Sequence, residues 1–212
     1  DIRVLPLLLA CLALSALALL GAAPAGRSRD PSMLLEAKAA VRRALQYLAQ
    51  KQEDNGSWRD SPAITALVVT GMMGSGEEKF GPKSQVVGPA LDYIRNCAQP
   101  DGGIYDKHYA SYSTSICAMA LVEAGLPEDK ELIRKAQVFL LGAQADAGEG
   151  VQPGNVQYGG WGYAKDPSGE GMLRADMSNT QFAVEAIRAL QDVAEEDRAA
   201  AGTGQGTRTR TE

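Results

Sequence analysis

A glutamine, a glycine and a tryptophan at fixed spacing behind an apolar-faced helix restrict the fold of this chain more than any other feature. Arg43-Ala44-Leu45-Gln46-Tyr47-Leu48 closes such a helix, and Gln52, Gly56 and Trp58 follow as Gln-x3-Gly-x-Trp. The trio has the chemistry of a corner. A glutamine amide can bond the backbone groups left free at a helix end. A tryptophan lying over those bonds shields them and packs the next element, and glycine permits the tight turn between the two. Gln144, Gly159 and Trp161 repeat the trio after Phe139-Leu140, with about 11 residues inserted between glutamine and glycine. An intermediate copy keeps Tyr93-Ile94 and Gly102, but has Ala98 and Ile104 in place of the glutamine and tryptophan. All six residues of the two full trios are read as structural.

Paired helices flank each corner. Asp30-Pro31 has the form of a helix start, with the aspartate as cap and the proline in the first turn. Leu34, Lys38 (through its stem), Val41, Leu45 and Leu48 then mark one helical face. Ser61-Pro62 starts a second helix bearing Ile64, Leu67 and Val68 and stopping near Gly71. Pro89 opens the next, with Leu91, Ile94 and Ala98. Ser113-Thr114 caps a helix with Ile116, Met119, Ala120 and Leu121, ended by Gly125 and Pro127. Leu132, Ala136, Phe139 and Leu140 give a fifth helix, and Phe182, Ala183, Ala186, Ile187 and Leu190 a sixth. Ala66-Leu67…Gly71 matches Ala120-Leu121…Gly125 54 residues on, and Ala186-Ile187 lies 66 further. Periods of this size mean stacked helix pairs that bury their faces against neighbours. The expectation is an all-α chain of about three helical hairpins over residues 26–193.

The ends differ from this body. Leu5 to Leu20 is an almost unbroken apolar run that ends in Gly21-Ala22-Ala23-Pro24-Ala25-Gly26. Ala23 and Ala25 satisfy the small-x-small rule, so residues 1–25 read as a signal peptide and the chain as secreted or periplasmic. Leu8-Leu9-Ala10-Cys11 loosely resembles a lipoprotein box, but the apolar run continues past it. No stable membrane span is expected after cleavage. From about 194 to 212 the sequence becomes small and polar and reads as a disordered tail. A formal charge of −5 without a basic stripe makes nucleic acid a poor partner. Cys97 and Cys117 are open to either reading, a disulfide in an exported chain or two small buried thiols.

The corner pattern resembles the QW repeat of squalene–hopene and oxidosqualene cyclases, differing at Ala44, where that family has glycine. Over roughly residues 32–192 the chain is similar to the squalene cyclase/prenyltransferase repeat family, most of all to its short exported bacterial members. The resemblance implies a partial α/α-toroid, with the first helix of each pair outside and the second inside. A closed toroid takes about five or six pairs, so three would leave ends for a partner or a second copy to cover.

The resemblance also says where chemistry would sit. The cyclases of this family protonate an alkene with the central acid of Asp-x-Asp-Asp-Thr, and the matching stretch here is Asp176-Met177-Ser178-Asn179-Thr180. Ser178 and Asn179 stand in place of the family acids, and a serine hydroxyl cannot protonate an alkene. Asp176 is the one acid left as a catalytic candidate. Ser178 to Gln181 also has the form of a capping box. Prenyltransferases hold zinc with Asp, Cys and His. The single His108, with Cys97, Asp106 and Cys117, has no recognised ligand spacing, so no metal or cofactor is expected. Tyr105, Tyr109 and Tyr112 crowd one turn, and Tyr158, Trp161 and Tyr163 another. They are candidate ligand-binding residues, an aromatic rim for an isoprenoid or other apolar molecule. The functional expectation is a non-catalytic module that binds an apolar ligand or a protein partner on its concave face. The alternative is a class II terpene (squalene–hopene-like) cyclase fragment whose acidic motif is degenerate or lies beyond the C-terminus.

Overall fold

A computed structural model describes residues 30–163 and 175–203. The expected signal peptide 1–25 and residues 204–212 of the expected tail lie outside the described residues. The fold is all-α: among the described residues there are six α-helices, short 3-10 turns and two isolated bridges, with no sheet. The helices are α1 Pro31–Ala49, α2 Pro62–Met73, α3 Val87–Asn96, α4 Ala110–Ala124, α5 Lys130–Leu141 and α6 Met177–Thr203. None is long and apolar enough to cross a membrane. Two compact units, Asp1–Ala44 and Leu45–Glu212, divide the chain, and the boundary falls inside α1.

In the first unit Asp30 caps α1 as the sequence reads, accepting from the Ser32 amide at 2.9 Å. The face expected to be buried there is exposed: Leu34 is 44% and Val41 54% accessible. That unit holds no second described element against which to bury it.

In the second unit α2, α4 and α6 pack in succession, α3 lies against α2, and α5 lies against α4 and α6. α3 and α5 are amphipathic and bury one stripe each, Val87, Ala90, Leu91 and Ile94 on α3 and Ile133, Ala136 and Leu140 on α5. The same positions recur every 46 residues: Val87 and Ile133, Ala90 and Ala136, Ile94 and Leu140. The structural period of this row is therefore 46, shorter than the 54 that the Ala-Leu…Gly match gives.

Three expectations for the other row are corrected. Ile64 and Leu67 of α2 are exposed and Val68 is half-buried, while Ala63, Thr65, Ala66, Val69 and Met72 face inward. A helix apolar all round carries no periodic clue to its buried face, and small residues win where helices approach closely. α4 starts at Ala110 rather than at a Ser113-Thr114 cap. Tyr109 precedes it in the left-handed region at φ 59°, and Ser113 and Thr114 lie buried inside the helix. α2 continues past Gly71 to Met73. α4 does end at Gly125, left-handed at φ 61°, whose amide bonds the Leu121 and Val122 carbonyls. The backbone of α6 stays helical to Thr203, well into the stretch that the sequence reads as tail. Ala, Glu and Arg dominate those residues, and all three favour helix.

One ion pair ties α3 to the turn before α5. Arg95 donates to both carboxylate oxygens of Asp129, Nε at 2.6 Å and Nη2 at 2.9 Å, and to Asp92 at 2.6 Å. Asp129 is 1% exposed. Hydrogen bonds to Asp129 hold the guanidinium pKa above its ordinary value, against the opposing effect of burial.

Candidate functional site

The corners have the geometry that the residue types demand. Gln52 Nε2 donates to the Gly56 carbonyl at 2.9 Å and to the Val86 carbonyl, at the entry to α3, at 2.8 Å. Trp58, 4% exposed, donates its indole N–H to the Leu48 carbonyl at 2.9 Å. In the third corner Gln144 Nε2 donates to the Gly159 carbonyl at 2.8 Å, and the Trp161 indole to the Leu140 carbonyl at 2.7 Å. Leu48 and Leu140 are equivalent across two 46-residue periods. Gln52, Gly56, Trp58, Gln144, Gly159 and Trp161 are thus all engaged in holding the turns.

Two parts of the corner escape sequence reasoning. Each corner residue gives its backbone N–H to a threonine hydroxyl on the following helix: Trp58 to Thr65 at 3.0 Å, Ile104 to Thr114 at 2.9 Å, Trp161 to Thr180 at 3.0 Å. The separations are 7, 10 and 19 residues, so variable loops hide the repeat from any fixed-spacing pattern. The degenerate second corner is also rebuilt from a neighbour. Gln99, one position after Ala98, donates to the Tyr105 carbonyl at 2.8 Å, and Ala98 pairs with Ile104 in an isolated bridge.

The candidate aromatic residues separate. Tyr109 and Tyr163 meet edge to face at 4.8 Å between ring centroids; Tyr112 lies 6.2 Å from Tyr163 and 5.6 Å from Phe182. Tyr109 is 58% and Tyr163 48% exposed, so this ridge is open to solvent. His108 extends it, 6.1 Å from Tyr109. Phe182, which the helical periodicity places on the inward face of α6, is half-buried and packs on Tyr112. Tyr105 departs from the expected rim. Its ring packs 6.0 Å from Phe139 and its hydroxyl donates to Asp101 at 2.6 Å. Burial, then the bond to Asp101, pushes its pKa up to about 12. Trp161 is buried in its corner, and Tyr158 is exposed on the inserted loop.

Asp176 is a helix cap. Its Oδ1 accepts from the Asn179 amide at 2.9 Å and from the Ser178 hydroxyl at 2.7 Å, and its Oδ2 accepts from Asn179 Nδ2 at 2.5 Å. Burial alone would raise its pKa, but the bonds from Asn179 and Ser178 outweigh it and hold the carboxyl below its ordinary value. An acid that protonates an alkene needs the opposite shift. The expected capping box is corrected accordingly: Asp176, not Ser178, accepts at the helix start, and Gln181 reaches forward to Glu185 at 3.0 Å. An aspartate two residues upstream outcompetes the serine because its carboxylate can take three donors at once.

Cys97 and Cys117 are both free thiols, the second fully buried, and burial pushes both pKa values up. His108 is exposed, and among the described residues no group of three or more His, Cys, Asp or Glu side chains is placed to hold a metal. No family model matches this chain, and no curated protein matches it.

Proposed function

We propose that this chain is an exported, non-catalytic hairpin-repeat module, a partial α/α-toroid whose concave face receives an apolar, isoprenoid-like ligand. The observation that carries the reading is the ridge of Tyr109, Tyr112, Tyr163 and Phe182. Residues far apart in sequence converge there, with two rings about half exposed. Clustered, partly exposed aromatic rings suit flat or branched hydrocarbon, which offers dispersion and no hydrogen bonds. Succession of α2, α4 and α6, with α3 and α5 laid against them, supports the toroid reading, since that family alternates inner and outer helices. Export is supported by the apolar run and the small residues at Ala23 and Ala25.

The cyclase alternative draws less support, because Asp176 is committed to capping in its ionised form. Titration of the purified chain with farnesol, followed by tyrosine fluorescence and calorimetry, tests the reading. Saturable binding is expected, weakened about fivefold by Tyr163→Ala through the loss of ring contacts worth about 1 kcal/mol. Absence of saturable binding, or binding indifferent to Tyr109→Ala and Tyr163→Ala, would leave the ridge without this role. Conversion of a polyprene by the chain would restore the enzyme alternative.

A further inference from the structure

Two buried polar atoms of the second unit stand without a partner. Ser111 on α4 is 1% exposed and Asn179 on α6 is 2% exposed. Among the described residues neither Ser111 Oγ nor Asn179 Oδ1 makes a hydrogen bond. Buried hydroxyls nearby are satisfied: Thr114 accepts from the Ile104 amide at 2.9 Å, and Ser115 donates to the Ser111 carbonyl at 2.8 Å. A buried polar atom left unpaired costs stability, so each one calls for an account.

Both atoms belong to one place. α4 packs on α6, and Tyr112 and Phe182 meet across that seam with ring centroids 5.6 Å apart. Both rings come from the first two turns of their helices, so the two helix starts lie side by side. Ser111 precedes Tyr112, and Asn179 stands about one turn before Phe182. Their Cα–Cβ bonds lean towards the helix starts. The pair therefore occupies the N-terminal end of the seam, next to the aromatic ridge. The start of α4 is itself short of an acceptor. Ser61 and Asp176, each four residues before a clamp threonine, cap α2 and α6 through their side chains. The corresponding residue of α4 is Ala110, and Tyr109 before it gives no side-chain bond to the helix.

These parts specify the group that would complete them. Asn179 Oδ1 only accepts, so it calls for a donor. The Ser111 hydroxyl and the start of α4 call for an acceptor. One neutral hydroxyl is both. An anionic head suits the place poorly. Asn179 Nδ2 already serves the Asp176 carboxylate, and that carboxylate, whose pKa lies below its ordinary value, repels a second negative charge. A plain hydrocarbon leaves both atoms unpaired.

We propose that Ser111 and Asn179 bind the hydroxyl head of an isoprenoid alcohol, Ser111 donating to its oxygen and Asn179 Oδ1 accepting its O–H, while the hydrocarbon lies along the ridge. This rests on the ridge as an apolar-ligand site and names the head group that the site prefers. Both atoms are closed to solvent, so the head enters by turning the half-buried Tyr112 ring off Phe182.

Parallel tyrosine-fluorescence titrations test it, with farnesol, with farnesene (the same carbon chain without a hydroxyl) and with farnesoic acid. Farnesol is expected to bind about tenfold or more tightly than the other two. Ser111→Ala should cut the preference for farnesol over farnesene about fivefold and leave farnesene binding unchanged. Without ligand that variant should be at least as stable as the wild type, since it removes a hydroxyl that has no partner. Asn179→Leu should reduce the same preference, with helical circular dichroism checking the fold because a bond to Asp176 is also lost. Farnesene or farnesoic acid binding as tightly as farnesol would overturn the proposal, as would a preference that survives Ser111→Ala. A Ser111→Ala chain less stable than the wild type without ligand would also overturn it, because a bound water would then already satisfy the hydroxyl. Equal binding of farnesol and farnesene, weakened by Tyr163→Ala, would remove this head-group site and leave the ridge reading standing. No saturable binding of any of the three would remove both.

Discussion

Alanine at the corner glycines measures the seating of one hairpin on the next. Gly56, Gly102 and Gly159 share a positive φ, at +86°, +92° and +82°. Holding an alanine in the left-handed region costs about 1–2 kcal/mol at any of them. Gly125, at φ +61° with nothing within 4 Å, supplies that cost alone. At Gly56 and Gly102 the added methyl also meets a backbone carbonyl, that of Pro89 on α3 and of Lys135 on α5, which cannot swing aside as the end of a side chain can. Overpacking of this kind costs about 1–3 kcal/mol. Gly56→Ala and Gly102→Ala should therefore lose about 2–5 kcal/mol in urea unfolding at unchanged m-value. Gly125→Ala should lose about 1–2 kcal/mol, and Gly159→Ala, where among the described residues only the Gln144 side chain comes within 4 Å of the added methyl, should match it. Equal losses at Gly56, Gly102 and Gly125 would refute the claim that the carbonyls of α3 and α5 are seated on the corners.

Thr180→Val leaves the Trp161 amide without its acceptor and should cost about 1–3 kcal/mol, with Thr114→Val similar at Ile104; a loss below about 0.5 kcal/mol in chemical denaturation would contradict the clamp. Asp129→Ala leaves Arg95 facing only Asp92 and Glu128, more exposed than Asp129, and should cost about 2–4 kcal/mol, whereas Asp92→Ala should stay within about 1 kcal/mol; comparing their denaturant midpoints checks this. Asp176→Ala should cost about 1 kcal/mol near neutral pH through loss of the cap. The folded pKa of Asp176 lies below its unfolded value, so its contribution is complete above about pH 4 and fades as pH falls through the folded pKa; thermal melts of both proteins should converge on acidification, and a gap that widens in acid would rule out an ionised cap.

Local chemistry wrote the punctuation of this chain. Asp30 and Ser61 as caps, Gly125 as a stop, and the bonds of Gln52, Trp58, Gln144 and Trp161 follow from what those residues do at helix ends, so they are legible one segment at a time. The burial stripes of α3 and α5 are legible for the same reason, because an amphipathic helix states its inward face in its own period. Tertiary structure decided the rest. α2 is apolar on every side, so only close packing against its neighbours selects Ala63, Ala66 and Val69 over Ile64 and Leu67. The threonine clamps join residues whose separation varies with loop length, and that spacing exists only in space. Tyr105 and Tyr109, four residues apart, look alike in sequence, yet the left-handed turn at Tyr109 sends one ring to Tyr163 and leaves the other on Phe139. Asp176 is the sharpest case. The sequence placed an acid at the head of a helix, and only the three donors folded around it decide that it holds its charge rather than gives up a proton.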